Sequence, residues 1–357
     1  RNDETRLGTE GGSPVTRRIA VVTGTRAEFG LLRSTMAAIR KADDLELWLI
    51  ATGMHLSPQH GNTIEEIERA GFDVDRTVHV LLDGDSGLSM AKSLGIGVSG
   101  LAEAFGESAP DIVLVLGDRD EAFAAGLAAA HMNIPIAHIH GGDAMEGAII
   151  DDSIRHALTK FAHLHFPATE ASARRIEKLG EEPWRITVVG APGLDDVIAD
   201  KYDDPDAVRS ELGLPDSKRL VILVQHPLTT QPSRASEQMR ATLEALQDLD
   251  VDIVAIYPNA DAGGKAIIEA IDTVRDEKRV HVFENLPRQT YLGLLASAEV
   301  MIGNSSSGII EAPSFDLPVV DIGPRQESRE RAGNVLSVPH DQDAIREAVR
   351  RGIEDDH

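Results

Sequence analysis

The feature that most constrains this chain is a recurring pattern: a short, β-branched apolar run, a polar glycine-containing cluster, then a helical pattern. Two runs show it well. Ile112 to Leu116 ends at Gly117-Asp118-Arg119-Asp120, and Ile134 to Ile139 ends at His140-Gly141-Gly142-Asp143, with Asp151-Asp152-Ser153-Ile154-Arg155-His156 soon after. Apolar runs this short, without polar alternation, suit strands buried on both faces of a parallel sheet. Helices between such strands cover those faces, so the expected class is α/β, built from βαβ units. In that architecture the carboxyl ends of neighbouring strands open onto one crevice, which would gather these acids, imidazoles and arginines.

The pattern begins at Ile19-Ala20-Val21-Val22, which breaks at Thr23-Gly24-Thr25-Arg26 before a helix near Ala27. Strands are expected at Leu47 to Ile50, His163 to Phe166 and Ile186 to Val189, and helices over 62–70, 91–105, 121–130 and 171–179. Gly190-Ala191-Pro192-Gly193 and the acidic run from Asp200 to Asp206 interrupt the series. Glycine, proline and like charge mark a linker there, giving an N-terminal domain over 18–195 and a C-terminal one over 205–357. The second series carries strands at Leu220 to Val224, Val251 to Ile256, Val280 to Phe283 and Val300 to Ile302, and a final surface helix from Asp341 to Ile353. Two doubly wound, Rossmann-like domains predict an interdomain cleft as the ligand site. Residues 1–17, polar and without an apolar segment, read as a disordered leader.

Composition removes several function classes. The chain has no cysteine, so disulfides, thiolate metal sites and a cysteine nucleophile are excluded, and the cytoplasm is the expected compartment. A formal charge of −24 opposes the phosphate neutralisation that nucleic-acid binding requires. No apolar run is long enough to cross a bilayer, so no membrane partner is expected. Eight of the 35 basic residues are lysine, and the acidic excess suits a solvated exterior that high salt would screen.

Several strand-end groups have chemistry to offer. Asn304-Ser305-Ser306-Ser307-Gly308 brings hydroxyls and closely spaced amides to a helix start, which suits either a phosphate or an ordinary cap. Glu311, one turn on, would accept hydrogen bonds from a ribose diol. Arg26 is placed to reach a diphosphate, with Arg325 and Arg329 as clamps from the other domain. His226 follows a strand in Gln225-His226-Pro227 and should face the cleft. Asp118 and Asp151 each precede a helix and would serve as caps in isolation, but converging acids can raise one another's pKa into the range of proton transfer. A dinucleotide cofactor is disfavoured, since Gly24 to Gly30 lacks the GxGxxG spacing. A metal at His138, His140 and Asp143 is disfavoured too, because glycines follow the strand at once.

Taken together, GTRAEFGLL, TGMHLSPQHGNT, LGDRDEAFAA, IDDSIRHALTK, HPLTT, PNADAGGK, GNSSSGIIEAPS and RQESRERAGNV resemble, in order and from Arg18 to Val338, the hydrolysing UDP-N-acetylglucosamine 2-epimerases of sialic- and nonulosonic-acid synthesis. The resemblance implies a GT-B-like fold and a UDP-sugar substrate without a redox cofactor. It also implies a reaction: anti-elimination of UDP to a 2-acetamidoglucal, then hydration to a free N-acetylmannosamine-type sugar. Carried onto this chain, it assigns Arg26, His226, Ser305, Ser306, Glu311 and Arg325 to the UDP portion, with Asn259 and His55 on the substrate side. Asp118 and Asp151 would be the catalytic acids, with Arg155 close to the sugar, and the assembly would be a homodimer or homotetramer. One departure stands out: His140 occupies a place where many relatives carry glutamate, in a loop two residues longer. Either His140 takes an acid/base role, or Asp143 or Glu146 supplies the carboxylate. The substrate would then be UDP-N-acetylglucosamine or a UDP-diacetamido-trideoxy sugar. The competing readings are a non-hydrolysing epimerase, which keeps UDP on its product, and a silent nucleotide-sugar-binding module.

Overall fold

The computed structural model describes residues 16–58, 61–82, 84, 86–144, 150–215 and 219–354. The first half alternates β1 (Arg17–Thr23), α1 (Arg26–Lys41), β2 (Leu45–Thr52), α2 (Ile64–Arg69), β3 (Arg76–Val78), α3 (Gly87–Ser108), β4 (Ile112–Leu116), α4 (Asp120–His131), β5 (Ile136–Ile139), α5 (Ile150–Phe161), β6 (Leu164–Phe166) and α6 (Glu170–Lys178). Two short helices, α7 (Asp195–Ile198) and α8 (Pro205–Glu211), lead into the second half. That half runs β7 (Arg219–Val224), α9 (Ala235–Leu246), β8 (Val251–Ile256), α10 (Gly264–Asp272), β9 (Val280–Phe283), α11 (Arg288–Ser297), β10 (Val300–Gly303), α12 (Ser307–Ile310), β11 (Val319–Ile322), β12 (Val335–Val338) and α13 (Gln342–Glu354).

Each half closes a six-stranded parallel sheet, ordered β3-β2-β1-β4-β5-β6 and β12-β11-β10-β7-β8-β9. In both, the chain reverses direction once from the centre, so a switch point lies between β1 and β4 and another between β7 and β10. The apolar runs are central strands: Val113, Val115, Leu220, Val221, Ile222 and Leu223 have no exposed surface. Helices on both faces build two apolar clusters per domain, and the alanines of α4 let that helix lie close against β4. The two-domain α/β architecture expected from the sequence is what the chain adopts.

Several elements differ from expectation. Residues 186–189 form no strand: Ile186 makes one bridge with His165, and Thr187 and Val189 donate to the carbonyls of His165 and Pro167. Gly190, at φ +77°, and Pro192 then turn the chain away. The sequence reading missed β3, β11 and β12, because three or four residues are too few to show a period against charged surroundings. The proposed leader falls almost entirely outside the described residues, as does Glu146.

One glycine fixes how β10 enters the cleft. Gly303 has φ +123°, and a Cβ there would lie 2.0 Å from the carbonyl oxygen of Val224 on the neighbouring strand. Gly303→Ala should therefore destabilise the fold by about 3 kcal/mol or more, read as a lowered urea midpoint with an unchanged slope. An unchanged midpoint would show that β10 can shift away from β7.

Candidate active site

The switch points of the two sheets face each other, and between them lies a cavity of about 340 Å³. The first domain lines it with Thr25 and Arg26 from the end of β1 and with Asp118, Arg119 and Asp151. From the second come His226, Asn259, Ser305, Ser306, Ser307, Glu311 and Arg325. Nine of the twelve residues singled out in the sequence are therefore brought to one space: Arg26, Asp118, Asp151, His226, Asn259, Ser305, Ser306, Glu311 and Arg325.

On the first-domain side, Asp118 follows β4 by one residue, after Gly117, and does not cap α4, whose N-cap is Arg119 without a side-chain bond. Its carboxylate is ion-paired with Arg155, a residue 1% exposed that stands just behind the cavity wall. Burial, then Arg329, Arg325 and Arg175, press the Arg155 pKa down, so positive charge is concentrated here. Asp151, 5% exposed in the first turn of α5, meets Arg325 Nη2 at 3.8 Å across the cleft. Burial and the nearby Asp261 carboxylate raise its pKa to about 6.

On the second-domain side, the His226 backbone is held by Asn304, which accepts from His226 N at 2.7 Å and donates to its carbonyl at 3.0 Å. The Asn259 amide donates to His226 Nδ1 at 3.2 Å, so a neutral ring carries its proton on Nε2. Burial and the neighbouring Arg325 push the ring down to about 3, which keeps it neutral. The Asn304 carbonyl accepts from Arg325 Nη1 at 3.1 Å and Gln326 Nε2 at 2.8 Å, fixing the clamp arginine. Ser305 Oγ accepts from Ser307 N at 3.3 Å, and Tyr291 donates to Ser307 Oγ at 2.8 Å, which leaves the Ser306 hydroxyl at the cavity.

Three expectations need correction or refinement. His55 does not reach the cavity: it is fully buried, with Thr23 Oγ1 at 3.1 Å from Nε2 and Thr63 Oγ1 at 2.7 Å from Nδ1, and burial lowers it to about 4. Glu311 lies on the cavity but just past α12, a single turn, and its carboxylate is ion-paired with Arg288. His140 lies apart from Asp118 and Asp151, in a neighbouring cavity of about 270 Å³ with Asp143 and Arg329. The chain leaves β5 at His140 with φ +62°, and this turn directs the side chain away from the larger cavity. His138 is buried within the fold, its Nε2 donating to the Gly117 carbonyl at 2.7 Å.

The sequence reading named Arg119 and Asn304 only within their clusters and gave no role to them, to Asp261 or to Arg288. Arg119, which lines the cavity, meets Asp261 Oδ1 from its Nη1 at 2.9 Å, a buried ion pair that joins the domains. Its position beside Asp118 at the same strand end was the available signal. For Arg288, at the start of α11, no local pattern pointed to the cleft.

The comparisons agree with this geometry. The family model described as UDP-N-acetylglucosamine 2-epimerase matches residues 37–357. A Legionella pneumophila protein named UDP-N,N'-diacetylbacillosamine 2-epimerase (hydrolyzing) is 40% identical over 337 residues, covering 94% of this chain and 89% of its own length. A Campylobacter jejuni GDP/UDP-N,N'-diacetylbacillosamine 2-epimerase (hydrolyzing) is 36% identical, covering 90% and 84%. A Neisseria meningitidis UDP-N-acetylglucosamine 2-epimerase is 32% identical, covering 94% and 87%. Among solved structures, the Neisseria meningitidis UDP-GlcNAc 2-epimerase bound to UDP-GlcNAc superposes with a TM-score of 0.77 at 19% identity, covering 94% of this chain and 91% of that one, which supports the fold. With the family model spanning most of the chain and three relatives above 30% identity, this protein belongs to the UDP-N-acetylglucosamine 2-epimerase family and is an enzyme of that family.

Proposed function

We propose that this enzyme is a hydrolysing 2-epimerase of UDP-linked 2-acetamido sugars, releasing UDP and a free sugar of inverted C2 configuration. The observation that carries it is the pairing, in one cavity, of a buried carboxylate with a pKa near 6 and a cluster of arginines, serines and a neutral histidine facing it. Arg26, His226, Ser305, Ser306 and Arg325 would hold the diphosphate, and His226 would donate from Nε2. Asp151 would remove the C2 proton, because its raised pKa makes it a stronger base than a carboxylate held in an ion pair with arginine, as Asp118 is. The C2–H and C1–O bonds break, a C1=C2 double bond forms, and the electron pair leaves with UDP, stabilised by the arginines. Water then adds across C1=C2: a water held by the ionised Asp118 gives its proton to C2 on the opposite face, its hydroxide bonds to C1, and the proton on Asp151 passes to solvent.

The names of the two most similar relatives above favour a diacetamido-trideoxy substrate, N,N'-diacetylbacillosamine linked to UDP, and the Neisseria relative at 32% identity keeps UDP-N-acetylglucosamine as the second reading. Incubation with each substrate in D2O, followed by NMR, should show free sugar, free UDP and deuterium at C2. Protium retained at C2 would overturn the elimination route, and UDP retained on the product would make the enzyme non-hydrolysing. Binding of UDP with no turnover of either substrate would leave a silent binding module. We also propose a homodimer or homotetramer, to be read from the sedimentation mass.

A further inference from the structure

The cavity beside His140 has a chemistry of its own. His140, Asp143, Ala144, Ala191, Ile309 and Arg329 are among its lining residues, drawn from both domains. Asp143 stands between the two: Oδ1 accepts from Ser172 Oγ at 2.8 Å, and Oδ2 lies at ion-pair distance, 3.6 Å from Arg329 Nη2 and 4.0 Å from His140 Nδ1. What is left over is specific. His140 Nε2 and the Nε and Nη1 atoms of Arg329 are buried without a hydrogen-bond partner. Such groups are costly unless a ligand satisfies them. With Nδ1–H turned toward Asp143, a neutral His140 presents Nε2 as an acceptor, while Arg329 presents donors only. The walls also carry polar groups that are already engaged, Thr169 donating to Glu330, Ser172 to Asp143 and Arg175 to the Gly142 carbonyl, beside the apolar Ala144, Ala191 and Ile309.

One acceptor, a fork of donors and an apolar wall together complement a secondary amide carrying a methyl group: its N–H to His140, its carbonyl to Arg329, its methyl against Ala144, Ala191 and Ile309. The cavity also lies next to the reacting centre. Arg155, paired with Asp118, donates from Nη1 to the Asp143 carbonyl at 3.4 Å, and Arg329 follows Arg325 by one turn of the same second-domain loop. A sugar held between Asp118 and Asp151 therefore has this cavity beside its ring. We propose that the cavity between His140 and Arg329 is a subsite for a second acetamido group on the sugar ring, and that it selects 2,4-diacetamido substrates over sugars with a hydroxyl at that position. This rests on the proposed reaction at the neighbouring cavity. It gives His140 a role in specificity in place of acid/base chemistry.

The test fills the cavity from a wall that touches neither UDP nor the catalytic acids. In Ala191→Leu, kcat/KM for UDP-N,N'-diacetylbacillosamine should fall at least tenfold, about 1.4 kcal/mol of transition-state binding, through KM. UDP affinity and kcat/KM for UDP-N-acetylglucosamine should stay within about threefold of wild type. Should Ala191→Leu lose UDP affinity as well, Ala144→Leu, on another segment, makes the same measurement. Equal losses on both substrates, or none on either, would overturn the subsite. Wild-type enzyme that turns over neither substrate would instead overturn the proposed function.

Discussion

Asp151→Asn should lower kcat by about 10²- to 10⁴-fold while UDP binds with an affinity within a few-fold of wild type. The carboxylate is the proposed base, and asparagine keeps its shape while removing the lone pair that takes the proton. Wild-type kcat should rise about tenfold per pH unit below pH 6 and level off above it, because burial and Asp261 raise this carboxyl to about 6 and only the ionised form abstracts a proton. Stability runs the other way. The folded pKa lies above the ordinary aspartate value, so the folded state holds the proton more tightly than the unfolded chain. The stability this contributes is present below about pH 4 and is lost as pH rises through 6. At neutral pH, Asp151→Asn should accordingly be no less stable than wild type, although inactive. Thermal melts at pH 7.5 with kcat measured on the same samples would show it, and a variant that is both active and pH-independent would remove Asp151 from the chemistry.

The matching substitution on the other side of the ring should differ in sign. Asp118→Asn should cost about 1–3 kcal/mol of stability as well as activity, because it removes a carboxylate that is ion-paired with the buried Arg155 guanidinium. Arg175, Arg325 and Arg329 already press on that guanidinium. Millimolar UDP or pyrophosphate, which supplies negative charge to the same cluster, should recover part of the loss. Asp118→Asn with wild-type stability would mean that Arg155 is neutralised by other groups. The pair thus separates a carboxylate kept for its proton affinity from one kept for its charge.

Asp118 was legible as a candidate because a polar residue just past a buried parallel strand has little choice but to face the crevice, whereas Asp151, in the first turn of α5, was singled out by the motif Ile150 to Lys160 that resembles the family's. The same rule found His226 and the serines after β10. It failed at His55, whose segment also follows a strand, because a tight turn folded the ring back between Thr23 and Thr63. Glu311 does line the cavity, but α12 stops after one turn and Arg288, from another element, pairs with the carboxylate, which the sequence did not show. Arg119, Asp261 and Asn304 act through partners 21 to 142 residues away in the chain, a relation that no local pattern carries.

The α/β class, the repeated βαβ series and most strands and helices were determined by the sequence by itself, since strand burial and helix periodicity are local properties that survive without knowledge of what packs where. Tertiary structure alone decided which strand ends share a cavity, that Asp151 sits high and Asp118 is ion-paired, and that His140 turns into a separate space with Arg329. Those properties depend on desolvation and on charges brought from the other domain, and both exist only once the two sheets face each other.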